Sequence, residues 1–211
     1  ATIDKYPEID FFGYLKTAKG TGGKKRSAKV RISNAISLET FKGDLDFLTN
    51  KGLADRVKDD MNIAQAEIHR SYYRYTIVAD LDQIGIDEEY NIELPNDERA
   101  RRVKKLLDTV AFLYRDIRGR REDLKPLFAI GGVYDIKNPD FQNVIDVKDN
   151  RISVNQIEGV LYDDIVKDTY CGLVESKFEN DNEIKEILKP LSMPEFFTRL
   201  KSKVDDYYEG N

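Results

Sequence analysis

Apolar residues recur at helical spacing in two stretches of the chain. The first opens at Pro95-Asn96-Asp97-Glu98, which supplies an N-cap and first-turn acids that suit the helix dipole, and Gly119 is expected to end it. The second opens with the capping box Ser192-Met193-Pro194-Glu195. Both patterns predict long amphipathic helices. The inner positions are Val103, Leu106, Leu107, Val110, Leu113, Tyr114 and Ile117 in the first helix, and Phe196, Phe197, Leu200, Val204 and Tyr208 in the second.

Between and before these helices the chain shows the patterns of strands. Residues 29–38 alternate, with Val30, Ile32 and Ile36 on the side expected to be buried. Residues 72–81 are β-branched and aromatic, which predicts a central strand. Further strands are predicted at 127–136 and 168–176, with a hairpin formed by 143–147 and 151–154. The order of elements predicts an α+β fold with an antiparallel sheet.

Three segments interrupt this order. Residues 19–25 contain three glycines in seven positions, which predicts a flexible loop. Residues 39–66 carry scattered apolar residues without a firm period, broken by glycine and asparagine, and predict an inserted, partly helical excursion. Residues 83–93 predict an acidic loop.

Composition excludes several classes of protein. The 211 residues are 40% hydrophobic and 35% charged, too apolar for a disordered chain and too charged for a membrane bundle. The single cysteine, Cys171, and the single histidine, His69, exclude an internal disulfide, a multi-cysteine zinc site and most triad chemistry. The first ten residues lack the apolar core of a signal peptide. We expect a cytoplasmic protein without a membrane anchor, a cofactor or a bound metal.

The net charge of −5 hides an uneven distribution along the chain. Residues 11–38 contain seven basic residues and no acidic one, and residues 99–125 contain ten basic and four acidic residues. Residues 139–211 reverse the balance, with nine basic and sixteen acidic residues. A local basic surface on an acidic protein still attracts a polyanion.

The basic segment is the sharpest candidate site. Glycines allow a phosphodiester chain to approach the backbone, lysines neutralise it, and arginine forks match phosphate oxygens. Hydroxyl and amide side chains add donors to phosphates or base edges. The alternative is a solvated surface loop; a P-loop is excluded by the spacing. The candidate RNA contacts are Lys16, Lys24, Lys25, Arg26, Ser27, Lys29, Arg31, Ser33 and Asn34.

Three further groups of residues have competing interpretations. The arginines Arg118, Arg120 and Arg121 either cap the first helix or contact RNA or a neighbouring subunit. His69 is a structural residue, a hydrogen-bond donor to a ligand, or a general acid or base that cleaves RNA while Arg70 stabilises the charge that develops; we expect both residues among the RNA contacts. A carboxylate cluster either holds a metal or forms a solvated acidic face, and comprises Asp44, Asp46, Asp55, Asp59 and Asp60.

Several stretches together resemble a known family. They are Phe12-Gly13-Tyr14-Leu15-Lys16, residues 26–38 (RSAKVRISNAISL), Asp44-Leu45-Asp46-Phe47-Leu48, Ile117-Arg118-Gly119-Arg120, and residues 128–134 (FAIGGVY). In combination they are similar to the DevR-type CRISPR-associated autoregulator family, the backbone subunit of type I-B Cascade surveillance complexes. The resemblance extends through nearly the whole chain.

This resemblance implies a modified RNA-recognition-motif (ferredoxin-like) palm with inserted thumb and finger elements. Residues 39–66 stand where a thumb would be, within a single domain covering residues 1–211. Members of the family normally have a strand and a helix before the Phe-Gly-Tyr stretch, so an N-terminal part of the palm is expected to be missing here.

The resemblance also implies a function and its partners. Copies of the family protein stack head to tail along a CRISPR guide RNA, beside other Cascade subunits and the target DNA that pairs with the guide. We expect a non-catalytic, RNA-binding subunit of an antiviral ribonucleoprotein. Two rivals stay open: an endoribonuclease that cuts target RNA with a thumb aspartate, Asp44 or Asp46, and a DNA-binding autoregulator.

Overall fold

A computed structural model describes residues 2–18, 21–38, 42–49, 63–117 and 119–210; for residues 18, 21, 22, 42–49, 63–70 and 117 it describes the backbone alone. The helices are α1 (Pro7–Phe12), α2 (Asn96–Ala111), α3 (Val154–Glu158), α4 (Asp163–Val166), α5 (Asp181–Leu188) and α6 (Met193–Glu209). Short antiparallel ladders account for most of the remaining regular structure. The α+β class predicted from the sequence is therefore confirmed.

The strands are numbered along the chain. The first eight are β1 (Tyr14–Ala18), β2 (Thr21–Arg26), β3 (Val30–Ile32), β4 (Ile36–Ser37), β5 (Lys42–Thr49), β6 (Ile63–Arg70), β7 (Tyr73–Arg74) and β8 (Ile77–Ala79). The others are β9 (Ile86–Asp87), β10 (Ile92–Glu93), β11 (Tyr114–Ile117), β12 (Arg120–Asp123), β13 (Phe128–Gly132), β14 (Val147–Lys148), β15 (Arg151–Ile152), β16 (Thr169–Leu173) and β17 (Leu191–Ser192).

Helix α6 forms as the sequence predicts. The Ser192 hydroxyl accepts a hydrogen bond from the backbone N–H of Glu195 at 3.4 Å, which satisfies one of the free donors of the first turn. All five predicted inner residues are buried, from Phe196 to Tyr208. This face packs against α2 and against β16, so the helix joins the helical layer to a sheet.

Helix α2 is shorter than predicted. It ends at Ala111, and the residues from Tyr114 onward form the antiparallel hairpin β11–β12. Its turn contains Gly119 at φ +75°, a left-handed conformation that glycine adopts without strain. The helical spacing of Leu113, Tyr114 and Ile117 is therefore misleading, because Tyr114 and Ile117 belong to a strand that has a cross-strand partner. The helix begins at Asn96 as predicted, but the Asn96 side chain donates to the Tyr208 carbonyl and does not cap the helix.

Among the described residues, the largest sheet has the order β13–β16–β17, with an antiparallel and a parallel pair. Strands β13 and β16 lie within the predicted ranges, and the predicted hairpin is present as β14–β15. Gly132 passes so close to the loop before β16 that a Cβ atom at this position would lie 2.0 Å from the Asp168 carbonyl oxygen. Glycine is thus required by a close approach of two backbones.

Three antiparallel ladders, β3–β8, β4–β7 and β5–β6, pair the same two parts of the chain in succession, and together we call them the two-stranded ribbon. The pairs are Val30↔Ala79 at its base, Ile36↔Arg74 in its middle and Thr49↔Ile63 at its far end. The middle is irregular: the backbone N–H of Ser33 bonds to Thr76 and that of Leu38 to Tyr72. Strands β5 and β6, eight residues each, extend about 27 Å at ~3.4 Å per residue.

The ribbon corrects three predictions. The described parts of residues 39–66 are strands and not helical; residues 39–41 and 50–62 lie outside the described residues. Residues 72–81 form two short strands, each with one ladder partner among the described residues, and not one central strand. Val30 is buried as predicted, but Ile32 and Ile36 are 53% and 45% exposed because the ribbon leaves the core after Val30.

Two predicted loops contain strands. The glycine-rich segment forms β2, which pairs with β1 from Tyr14↔Arg26 to Ala18↔Thr21, so strand pairing overrides the low strand propensity of glycine. The acidic segment contains the small hairpin β9–β10. No helix within the described ranges is long and apolar enough to cross a membrane.

Candidate nucleic-acid interface

A buried ionic cluster anchors the basic segment to the core. The Asp10 carboxylate, fully buried, accepts hydrogen bonds from Arg26 at 2.7 Å, from Arg102 at 3.0 Å and from the backbone N–H of Gly85 at 2.9 Å. The side chains of Arg26 and Arg102 are 4% and 3% exposed. The cluster joins α1, the end of β2, the loop before β9 and helix α2.

Arg26 was predicted to bind phosphate, and the structure corrects this. Its guanidinium also donates to the carbonyl oxygens of Gln83 and Ile86 at 2.9–3.2 Å, so its donors are directed into the protein. A guanidinium in this position sets the orientation of the β1–β2 hairpin. It is not available to a ligand on the surface.

The side chains of Lys16 and Lys24 lie on the same face of the β1–β2 hairpin as Arg26, and both contact Tyr90. The Lys16 ammonium donates to the Tyr90 hydroxyl at 2.9 Å, and the Lys24 ammonium lies 4.0 Å from the centre of the Tyr90 ring. Nearby, the Tyr14 hydroxyl donates to the Asp87 carboxylate at 3.1–3.2 Å. Burial and this hydrogen bond raise the pKa of Tyr14 to about 12, so it is a neutral donor at physiological pH.

An open groove of about 820 Å³ lies between the basic segment and the loop that contains β9. Lys25, Ser27 and Lys29 line it from the basic segment, and the Lys29 ammonium lies 3.4 Å from the Ser27 hydroxyl. Three acidic residues, Asp87, Glu88 and Glu89, line it from the loop side. Lys25 is exposed and has no ion pair among the described residues. The groove therefore offers a cationic wall whose charges are accessible.

The remaining candidates of the basic segment occupy the base of the ribbon. Arg31 is half exposed and pairs with Asp80 at 2.6 Å, which orients its guanidinium but leaves donors free for a ligand. The Ser33 hydroxyl accepts from the backbone N–H of Thr76 at 2.9 Å and so stabilises the ribbon. Asn34 is exposed beside it.

Arg120 and Arg121, which were predicted to cap a helix, lie on strand β12 of the β11–β12 hairpin. Arg121 makes a bidentate pair with Asp116 at 2.8–2.9 Å and lies over the ring of Tyr114. This pair lowers the pKa of Asp116. Arg120 is exposed without an ion pair in the described part of the chain, whereas Arg118 lies outside it. The capping interpretation is wrong for Arg120 and Arg121, because no helix ends there.

The catalytic candidates belong to the ribbon or lie outside the described residues. His69 and Arg70 end β6, where they stand opposite Gly43 and Lys42 in the backbone register. Asp44 and Asp46 lie on β5, while Asp55, Asp59 and Asp60 are outside the described residues. Among residues whose side chains are described, no three carboxylate, histidine or cysteine groups converge as metal ligands would. Cys171 is buried, which raises the pKa of its thiol to about 12.

Sequence reasoning missed Tyr90 and Asp10. Each lies far along the chain from the basic residues that it contacts: Tyr90 is 74 positions from Lys16, and Asp10 is 16 positions from Arg26. The one signal in the sequence is that Tyr90 interrupts the acidic segment 83–93, where an aromatic residue has no helix or strand face to fill.

A comparison with known families covers the segments that form this interface. A family model described as the CRISPR-associated negative auto-regulator DevR/Csa2 matches residues 1–156, which include the basic hairpin, the groove, the ribbon and the β11–β12 hairpin. No curated protein matches the chain. The family match spans about three quarters of the 211 residues. The chain therefore belongs to the CRISPR-associated DevR/Csa2 family, as the resemblance of its motifs indicates.

Proposed function

We propose that this chain binds CRISPR guide RNA without cleaving it and that copies stack along the guide in a type I Cascade complex. The observation that carries the proposal is the groove lined by Lys25, Ser27 and Lys29 at the foot of the long ribbon. Membership of a CRISPR-associated family makes a nucleic acid the expected polyanion.

The chemistry of the groove favours a phosphate backbone over a base edge. Ammonium groups are point charges that neutralise phosphates without reading sequence. The hydroxyl of Ser27 adds a donor to a phosphate or to a ribose 2′-hydroxyl. A subunit that must accept any guide sequence needs this kind of contact, in which affinity comes from the backbone and depends on salt.

The ribbon supports the assembly part of the proposal. Among the described residues, β5 and β6 pair only with each other, so no third strand of the described chain extends this outer part of the ribbon into a larger sheet. We propose that it is the thumb, which reaches over the guide to the next copy, on a palm related to the RNA-recognition motif. The basic segments 11–38 and 99–125 and the acidic segment 139–211 are consistent with the unlike surfaces that head-to-tail stacking requires.

The groove is tested by replacing its two lysines. The double variant Lys25→Ala/Lys29→Ala should weaken binding to single-stranded RNAs of unrelated sequence by similar factors. It should also reduce the slope of log K against log salt by up to about 1.4, since each phosphate contact on a single strand contributes ~0.7. Lys177→Ala removes an exposed lysine that does not line the groove and serves as the matched control.

Other outcomes separate the rivals. An unchanged salt slope in the double variant would refute the groove as the phosphate site. Metal-dependent cleavage of RNA that Asp44→Ala or Asp46→Ala abolishes would support the endoribonuclease. Tighter binding to duplex promoter DNA than to single-stranded RNA would support the DNA-binding autoregulator.

A further inference from the structure

Two lysines stand directly opposite each other on the β1–β2 hairpin. Lys16 and Lys24 are register partners, so their side chains leave the hairpin on the same face as neighbours. Like charges directly opposite each other destabilise a strand pair. Replacing either lysine by a neutral residue would remove this repulsion and stabilise the hairpin, so the presence of both lysines needs a physical explanation.

Tyr90 holds both ammonium groups. The Lys24 ammonium lies 4.0 Å from the centre of the Tyr90 ring, and the Lys16 ammonium lies 4.4 Å from it while donating to the hydroxyl at 2.9 Å. Lys24 also donates to the carbonyl of Glu89 at 2.7 Å. The ring is presented by the turn between β9 and β10, where Asn91 adopts a left-handed conformation at φ +49°.

We infer that Tyr90 is a positioning residue that holds Lys16 and Lys24 as a two-pronged site for one phosphate group of the RNA. The inference rests on the proposed function and names a contact within it. It adds a residue from the acidic segment 83–93 to the RNA interface.

The physical argument is preorganisation. A lysine side chain is long and flexible, and ordering it on binding reduces affinity. Contacts with an aromatic face and a hydroxyl restrict each ammonium before the ligand arrives, without neutralising its charge. A phosphate placed between the two ammonium groups then removes their mutual repulsion, so binding relieves an unfavourable interaction that the free protein carries.

The experiment is a double-mutant cycle on the full chain, with a labelled single-stranded RNA as the probe. The four proteins are the unsubstituted chain, Tyr90→Leu, Lys16→Ala/Lys24→Ala, and the triple variant. Tyr90→Leu should weaken RNA binding about fivefold when the lysines are present, the size expected from losing an exposed cation–π contact and a hydrogen bond. It should change binding less than about twofold when they are absent.

Two variants control for the nature of the substitution. Tyr162→Leu makes the same change at a tyrosine that is 68% exposed and contacts neither lysine, and should leave binding unchanged. Tyr90→Phe keeps the ring and should retain most of the affinity, losing only the part that depends on Lys16. If Tyr90→Leu lowers the melting temperature, Tyr90→Phe, which preserves packing, replaces it in the cycle, and its smaller loss should disappear when Lys16 and Lys24 are absent.

The possible failures are distinguishable. Equal weakening by Tyr90→Leu in both lysine backgrounds would show that Tyr90 contacts RNA itself or supports the fold, and would overturn the positioning role. No weakening in either background would do the same. If the unsubstituted chain binds no RNA, the proposed function fails, whereas binding without coupling between Tyr90 and the lysines overturns this inference alone.

Discussion

Replacing Asp10 by asparagine should destabilise the fold more than any surface substitution of the same kind. Asp10→Asn removes one charge and preserves shape, so the change isolates the electrostatic role of the carboxylate. The residue is fully buried and lies between two guanidinium groups, those of Arg26 and Arg102, which are 4% and 3% exposed. Neither guanidinium reaches water when its partner is lost.

The magnitude follows from this burial. Removing one partner of a buried ion pair costs about 3–5 kcal/mol, because the other charge stays desolvated and unpaired. Glu98 still pairs with Arg102 at 2.8 Å and limits the loss on that side, but Arg26 has no second carboxylate among the described residues. We expect at least about 3 kcal/mol, a large part of the ~5–15 kcal/mol that stabilises a typical domain.

The assay is urea unfolding monitored by circular dichroism, which gives the free energy of unfolding and its slope with denaturant. Asp116→Asn is the matched control, since it makes the same change at an exposed pair with Arg121, and it should have little effect. A change below about 1 kcal/mol for Asp10→Asn, or equal effects of the two variants, would refute the claim that Arg26 is held by a buried charge.

Three further outcomes are expected. The hydrogen bond from Arg101 and the charges beside it hold the pKa of Glu98 at about 2, below its usual 4.5, so the stability that ionised Glu98 contributes is full above pH 4.5 and lost as the pH falls towards 2. In urea titrations, the difference in free energy of unfolding between the unsubstituted chain and Glu98→Gln should therefore shrink across this range, and a constant difference would contradict the expectation. Gly132→Ala should destabilise by roughly 1–3 kcal/mol because its Cβ meets a backbone carbonyl, whereas Gly131→Ala faces open space and should be tolerated; equal melting temperatures would refute the close approach. Replacing residues 44–58 with a short Gly-Ser linker should leave the monomer folded and abolish ordered stacking in electron micrographs of the RNA complex; an unfolded monomer or normal filaments would exclude the thumb assignment.

The parts of the fold that the sequence predicts well are those in which local and tertiary signals agree. Helix α6 has a capping box, a helical period and an apolar face that meets a sheet, and all three indicate the same element. Strands β13 and β16 are apolar and pair with each other, so their pattern reports their burial.

The errors arise where a distant partner decides the outcome. The spacing of Tyr114 and Ile117 fits a helix, and the strand is selected by pairing with β12. The glycine-rich segment becomes β2 because β1 lies beside it. Ile32 was expected to be buried, but alternation gives the face of a strand and not whether that face is covered.

In the candidate site, too, local patterns predict some features, and distant partners decide the others. The sequence identifies the basic segment from its charges, and Lys25, Ser27 and Lys29 do line the groove. It cannot separate a surface lysine from an arginine that anchors the core, because Arg26 differs from its neighbours only in having Asp10 within reach. It also does not indicate that Tyr90 meets two lysines more than sixty positions away.

The most direct test of the account is to count the copies of the protein that bind to RNAs of increasing length. Native mass spectrometry of the purified chain with single-stranded RNAs should show complexes that grow in steps of one 24.4 kDa subunit as the RNA lengthens, with the RNA intact. A single copy per RNA at every length, or RNA that is cut during the incubation, would contradict the claim that this protein is a non-catalytic subunit that repeats along a guide.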